Sequence, residues 1–526
     1  MWPSLQSRWW LQSAFILVGG LSLYMAWLRF GMVGLGPDPD GDAYGHHVIA
    51  RELLKDPMQH GKHWVWLPLF HWLQLPLLSW GGRLDTVRYI NVGLWTLLPS
   101  LFLAYLLRDA LPKRWGGSEA KPDLGSLVAA TVAGVLLALT PLGMQMGTTA
   151  QPEPLFALLV LMFIWSAQWQ KYGRAAAFLT FAVLLRYEAW SILAFSGAAV
   201  AFDQLRRMRR EGRLRVEWAP VAMIAIPGAA ILGWALLRLP HDHGRFMWFV
   251  RGTHDFAQEA LLTRNSFQQG LGVLAFDLMR YVFVVPHRTY GIVTLLAALG
   301  VWRLWQRHFW LSLASFAVLA FITFGWLMRS TLGLERHFVS VLPWYAALIS
   351  TGMVCGVELL QHAWRRIAPG AALSYALLGT GTAALVAVTT MCTVPWLRDW
   401  KYAIEHTFAD QLEIAQFVDS LPKSKPVFVD EPTVEALTHL WYEDVERGNV
   451  DWPPVRDKIH NAASAPGGTY VVSWLGKLGR LPDQGEIIFR PSATRDKVAD
   501  HEGHPDKTQG LAVMHVELTP AQISRH

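Results

Sequence analysis

Charge is scarce in this chain. Lys, Arg, Asp and Glu together make up 16% of its 526 residues, against about 25% in an ordinary soluble domain, and that shortage argues against a cytosolic enzyme. Cysteine is nearly absent: Cys355 and Cys392 are the two present, both inside apolar runs, so neither a disulfide framework nor a Cys-rich zinc site can be built. No Walker loop and no Gly-x-Gly-x-x-Gly segment occurs, which removes the usual cradles for nucleotide phosphates. Internal repeats and low-complexity stretches are missing as well.

What the chain has instead is apolar residues, 52% of the total, unevenly distributed. Residues 397–526 carry 14 Lys+Arg and 20 Asp+Glu, whereas the first 396 residues carry 32 and 20 over three times the length. The basic pI of 9.2 therefore belongs to the apolar part, and a nucleic-acid partner is not indicated. Near-continuous apolar runs, most of them long enough for a helix to cross hydrocarbon, occur at 9–33, 87–107, 125–143, 153–169, 175–187, 188–203, 216–237, 288–305, 309–328, 338–360 and 371–395. The expected fold is a polytopic α-helical membrane domain over 1–396, with about eleven crossings, followed by a soluble α/β domain over 397–526. In that tail an amphipathic stretch, Tyr402 to Leu421, precedes β-like runs at Val427–Val429, Tyr470–Ser473, Ile487–Phe489 and Ala512–Val516.

Orientation follows from the basic loops, which are retained on the cytoplasmic side. Arg108, Lys113, Arg114 and Lys121, then Lys171 and Arg174, then Arg206, Arg207, Arg209, Arg210, Arg213 and Arg215, then Arg303 and Arg307, then Arg365 and Arg366 all fall on one side if the count is eleven. The first long loop (34–86), the loop at 238–287 and the tail then lie on the extracytoplasmic face. Short loops and the lack of a retention signal favour a bacterial inner membrane over the endoplasmic reticulum, with the tail expected in the periplasm or outside. The loop at 238–287 has apolar residues at helical spacing and is expected to lie along the interface.

The first outer loop is where chemistry concentrates. Asp38, Asp40 and Asp42 crowd three carboxylates into five residues directly beyond a membrane helix, followed by Tyr44, His46 and His47. Such a cluster suits a general base or a divalent cation, with Asp40, Asp42 and His46 as the metal candidates. An EF-hand is excluded, because the twelfth position from Asp38 is Ile49. The structural alternative is an acidic helix cap at Asp42.

Ionisable groups beside the apolar runs add to this, since charge at membrane depth is costly and usually lines a polar cavity. Glu153 opens the fourth run, Arg186 and Glu188 flank the turn between the fifth and sixth, and Glu335, Arg336 and His337 open the tenth. All are expected on the face that carries Asp38–Asp42.

These positions resemble the GT-C superfamily of membrane glycosyltransferases. More narrowly, Asp40-Gly41-Asp42-Ala43-Tyr44, the Trp/Pro-Leu stretch ending at His71, Glu153 before Pro154-Leu155, and Arg336 with Pro343 are similar to the bacterial protein O-mannosyltransferases and the lipid A aminoarabinose transferase. Where many members have two adjacent acidic residues this chain has Gly41-Asp42, with Asp40 one position earlier. The resemblance implies a mannosyltransferase-like reaction in which a sugar on a polyprenyl phosphate passes to a lipid, glycan or protein hydroxyl with inversion. It implies a base at Asp42 or Asp40 and a second carboxylate at Glu153. Substrate contacts would come from Arg186, Glu188, Glu335, Arg336, His337, Tyr44 and His71, and no cofactor is required beyond a divalent cation at most. A competing class, a transporter or flippase of an anionic lipid or sugar, calls for inverted repeats and charges near mid-membrane, neither of which the sequence shows.

Overall fold

The computed structural model describes residues 8–111, 120–211, 216–261, 265–364, 371–422, 425–438, 445–447, 450, 453–479, 481, 485–491 and 511–518. Lys113, Arg114, Arg213, Arg215, Arg365 and Arg366 of the basic loops lie outside these residues.

All eleven apolar runs fall on helices. Seven described segments are long and apolar enough to cross a membrane: Trp9–Val33, Leu84–Leu106, Trp218–Arg238, Leu271–Arg307, Phe309–Leu327, Glu335–Ala363 and Tyr375–Ser420. Leu124–Leu139 and Glu153–Gln168 are shorter apolar helices. The protein is a polytopic helical membrane protein with a small C-terminal sheet region.

Three expectations change. The turn at Arg186–Glu188 is present, between helices Tyr172–Val183 and Glu188–Glu211, but the second does not stop with the apolar run at 203; it runs on until Arg206, Arg207, Arg209 and Arg210 form its basic end. This places cations where the helix dipole favours them. The outer loop at 238–287 is largely helical, and from Leu271 it already belongs to the spanning segment that ends at Arg307. The amphipathic stretch at Tyr402–Leu421 divides: its start completes the long helix Ala371–His406, and its remainder forms a separate helix, Ala409–Ser420.

Contacts divide the chain into two compact units. The first comprises residues 1–31, 59–70 and 88–400; the second comprises 32–58, 71–87 and 401–526. In the first unit, helix Ala297–Arg307 packs on Leu342–Trp364 at close range because two glycines meet there. A Cβ on Gly352 would overlap the carbonyl oxygen of Leu296, and one on Gly300 would overlap that of Leu348. Small residues at such a crossing let two backbones approach, as is common between membrane helices.

In the second unit a five-stranded mixed sheet runs in the order β2-β1-β3-β5-β4, with β1 Val427–Val429, β2 Val445–Arg447, β3 Thr469–Trp474, β4 Glu486–Phe489 and β5 Leu511–Val516. β1 is parallel to β2 and β3, while β5 is antiparallel to β3 and β4. Alternation on the strands feeds two cores. Val427, Val429, Val472 and Val513 pack against Ile414 and Val418 of helix Ala409–Ser420, and Phe428, Val471 and Met514 pack against Ile459 and Ala463 of helix Pro453–Ala463. Strand β2 has no counterpart among the expected strands.

Candidate active site

The first unit assembles a buried ionic cluster from three chain segments. Glu153 is the first residue of helix Glu153–Gln168 and is 1% exposed. Its position is fixed by the preceding loop, whose carbonyls are held from helix Leu84–Leu106. The Arg88 Nε donates to Thr148 O at 2.8 Å, and the Asn91 side-chain amide donates to Thr149 O and Gln151 O, both at 2.7 Å. A segment of backbone buried without its own ladder needs such donors.

Arg186 binds two carboxylates at once. Its guanidinium donates to Glu188 through Nε (3.0 Å) and Nη2 (2.7 Å), the two-pronged geometry that suits a carboxylate, and through Nη1 to Glu153 Oε1 at 2.5 Å. Burial disfavours its charge, and Glu153 and Glu188 supply the opposing charge. From the third segment, His337 Nδ1 stands 2.7 Å from Glu188 Oε1 and 2.9 Å from Arg186 Nη2. Arg336 Nε lies 3.6 Å from Glu153 Oε1. The turn bearing these two residues is held by Arg280 Nη2 donating to Gly333 O (2.8 Å) and by the Tyr281 hydroxyl donating to Leu334 O (3.1 Å). Glu335 is turned away, onto Arg288 at 2.5 Å.

Both guanidiniums crowd one oxygen of Glu153. The other, Oε2, is buried and has no hydrogen-bond partner among the described residues. A buried carboxylate oxygen left this way costs free energy, and functional sites are where such a cost is commonly carried.

The acidic loop lies in the second unit. The helix there begins at Gly41 and runs to Lys55, and the residue that caps it is Asp40, whose Oδ1 accepts from Asp42 N at 3.1 Å. The capping role expected of Asp42 therefore belongs to Asp40, and Asp42 stands in the first turn, where a negative charge also suits the helix dipole. Asp38 is buried and accepts from Asp40 N at 3.0 Å, while the Tyr44 hydroxyl donates to Asp38 O at 2.6 Å, so that Tyr44 closes the loop on itself. His46 Nδ1 and His71 Nε2 approach to 2.9 Å, both buried. Burial, and then the neighbouring His46, hold His71 well below the ordinary imidazole range. Burial likewise pushes His47 down to about 4, aided by Arg51 and opposed by Gln74. Among the described residues no three His, Cys, Asp or Glu side chains form a metal-binding group.

A protein with this architecture has been solved. ArnT from Cupriavidus metallidurans, in a crystal structure bound to undecaprenyl phosphate, superposes over 97% of this chain and 98% of its own, with a TM-score of 0.56 and 13% identity. The same protein in the apo state superposes over 95% and 97%, with a TM-score of 0.54 and 12% identity. This chain has the ArnT fold. That fold is the one the GT-C resemblance implied, carried through the whole chain at an identity too low to transfer anything else. No family model and no curated protein sequence matches the chain.

Arg88, Asn91 and Arg29 were not singled out in the sequence, though each is a polar group within an apolar run. Arg29 is 1% exposed, donates to Ala138 O at 3.4 Å and packs its guanidinium against Gly147. The rule that selected Arg186 and Glu153, charge at membrane depth, selects Arg29 and Arg88 as well.

Proposed function

We propose that the protein is a membrane glycosyltransferase that moves a sugar from a polyprenyl-phosphate donor to an acceptor hydroxyl on the extracytoplasmic face, with inversion at the anomeric carbon. The observation that carries the reading is Glu153: a buried carboxylate clamped through one oxygen by arginine, with the other oxygen left for a hydroxyl. The ArnT fold and the undecaprenyl phosphate of that crystal structure support the class of donor.

In this reading the acceptor oxygen attacks the anomeric carbon and the bond from that carbon to the phosphate oxygen breaks. The polyprenyl phosphate leaves with the electron pair. Phosphate needs no proton to depart, so a single base suffices, and its developing charge calls for a fixed cation. Asp42 takes the acceptor proton; the commitment of Asp40 to the helix cap supports that choice. Glu153 orients a substrate hydroxyl through Oε2. Arg336, with Arg186 and His337 beside it, faces the phosphate, which the planar guanidinium fork fits. The positive-inside pattern supports an inner-membrane protein with its tail outside.

Asp42→Asn and Asp40→Asn, assayed separately for transfer from a polyprenyl-phosphate sugar, test the assignment. Loss of the base lowers the rate by about 10²–10⁴, so Asp42→Asn falls in that range and Asp40→Asn falls less. Near-normal turnover in both variants would remove the first loop from catalysis. Uptake or flipping of the lipid-linked sugar without glycosidic transfer would favour a transporter instead.

A further inference from the structure

At the far end of the helices that bear the ionic cluster, a second polar site is built and the proposed reaction does not use it. Helix Leu84–Leu106 holds the Glu153 loop through Arg88 and Asn91 near its start, while Leu106 at its end lines a pocket about 27 Å away by helical rise. The pocket is walled by Ser126, Arg303, Arg307, His308, Ser350 and Thr351 among others.

Its polar groups are two guanidiniums, one imidazole and three hydroxyls. Arg307 Nη1 donates to the Ser126 hydroxyl at 2.6 Å, and that hydroxyl in turn bonds the capping Asp123. Arg307 has no carboxylate partner among the described residues, whereas Arg303 is paired with Glu358 at 2.8 Å. His308 is 5% exposed and its Nδ1 has no hydrogen-bond partner. Burial first, then the charges of Arg108 and Arg307, lower its pKa to about 3, and those two guanidiniums are the positive charges nearest the ring. Beside His308 lies the ring of Tyr105, 5.2 Å between centroids, and the Tyr105 hydroxyl is also buried without a partner. A set of donors around one space, with a cation at the rim, is the chemistry of an anion site.

The walls continue into apolar surface. On the helices that contribute Arg303, Arg307, Ser350 and Thr351, Leu299, Trp302, Leu359 and Leu360 are exposed, Trp302 at 71%. A basic pocket edged by hydrocarbon-compatible side chains at the end of a membrane bundle suits a lipid headgroup more than a free solute. We propose that this pocket binds the phosphate of an anionic membrane lipid, through Arg307 and His308, on the face opposite the Glu153 cluster.

Full-length protein in detergent, titrated with phosphatidylglycerol, phosphatidylcholine of the same chains or inorganic phosphate, and followed by thermal unfolding, tests this. Phosphatidylglycerol raises the unfolding temperature and phosphatidylcholine does not. Arg307→Gln, at an exposed position, weakens the apparent affinity about tenfold or more, Arg307→Lys recovers part of the loss, and Arg398→Gln, an exposed arginine elsewhere, keeps the full response. An equal response in wild type and Arg307→Gln, or an equal loss in Arg398→Gln, would overturn the site. The whole shift appearing with inorganic phosphate alone would overturn the lipid as its source.

Discussion

Removing the Arg186 guanidinium is the sharpest test of the buried cluster. In Arg186→Gln the contacts to Glu188 at 2.7 and 3.0 Å and to Glu153 at 2.5 Å are lost together. Two carboxylates, 3% and 1% exposed, are then left with one cationic partner fewer. Each contact is a charge-assisted hydrogen bond, but the cost is not their sum. It is set by the stranded carboxylates, and breaking a buried ion pair from one side costs about 3–5 kcal/mol. Part of that penalty is relieved when one carboxylate is neutralised, so Arg186→Gln combined with Glu153→Gln is more stable than the sum of the two single variants by about 0.5–3 kcal/mol. The assay is a denaturant or thermal titration of the four proteins in one detergent. A single-variant cost below about 1 kcal/mol, typical of exposed pairs, together with simple additivity, would refute the view that Arg186 neutralises buried charge.

Other expectations are independent of this one. Asn91→Leu strands two buried carbonyls, Thr149 O and Gln151 O, and lowers stability by about 2–4 kcal/mol on the unfolding curve. The His47 ring, held at about 4 in the fold against 6.5 when exposed, binds its proton first in the unfolded chain. Stability present above pH 6.5 is therefore lost on acidification towards about 4, by about 3 kcal/mol, and His47→Gln flattens that part of the pH profile. Gly352→Ala drives a methyl into the Leu296 carbonyl and costs about 1–3 kcal/mol, seen as a lowered unfolding midpoint, while the same change at Gly20, with open space around it, is close to neutral.

The apolar runs were legible because hydrocarbon imposes one periodicity-free signature, and all eleven correspond to helices. Their ends were less so: residues 271–287 read as a loop because Asp277 and Arg280 interrupt the run, and the structure satisfies both internally, Asp277 with Arg329 and Ser266, and Arg280 with Gly333 O. The ionic cluster was legible as separate charges beside membrane runs. That Glu335 would turn to Arg288 while its neighbours joined Glu153 and Glu188 was not, since the choice depends on the geometry of a single turn. Strand β2 escaped because Val445-Glu446-Arg447 has one apolar residue in three, too short a pattern for period-two alternation to register.

The ionic cluster also implies an order of events during translation. Glu153, Arg186 and Glu188 emerge within a few dozen residues of one another, so the two acids and their shared base can neutralise each other soon after entering the membrane. His337 arrives 149 and 151 residues after its partners Glu188 and Arg186, with Arg336 just before it. Because chains fold from the amino terminus as they are made, a nascent protein passes through a stage in which the acid pair is sheltered but the late cation is missing. Ribosome-stalled chains ending before residue 335 would hold Glu153, Arg186 and Glu188 without Arg336 and His337.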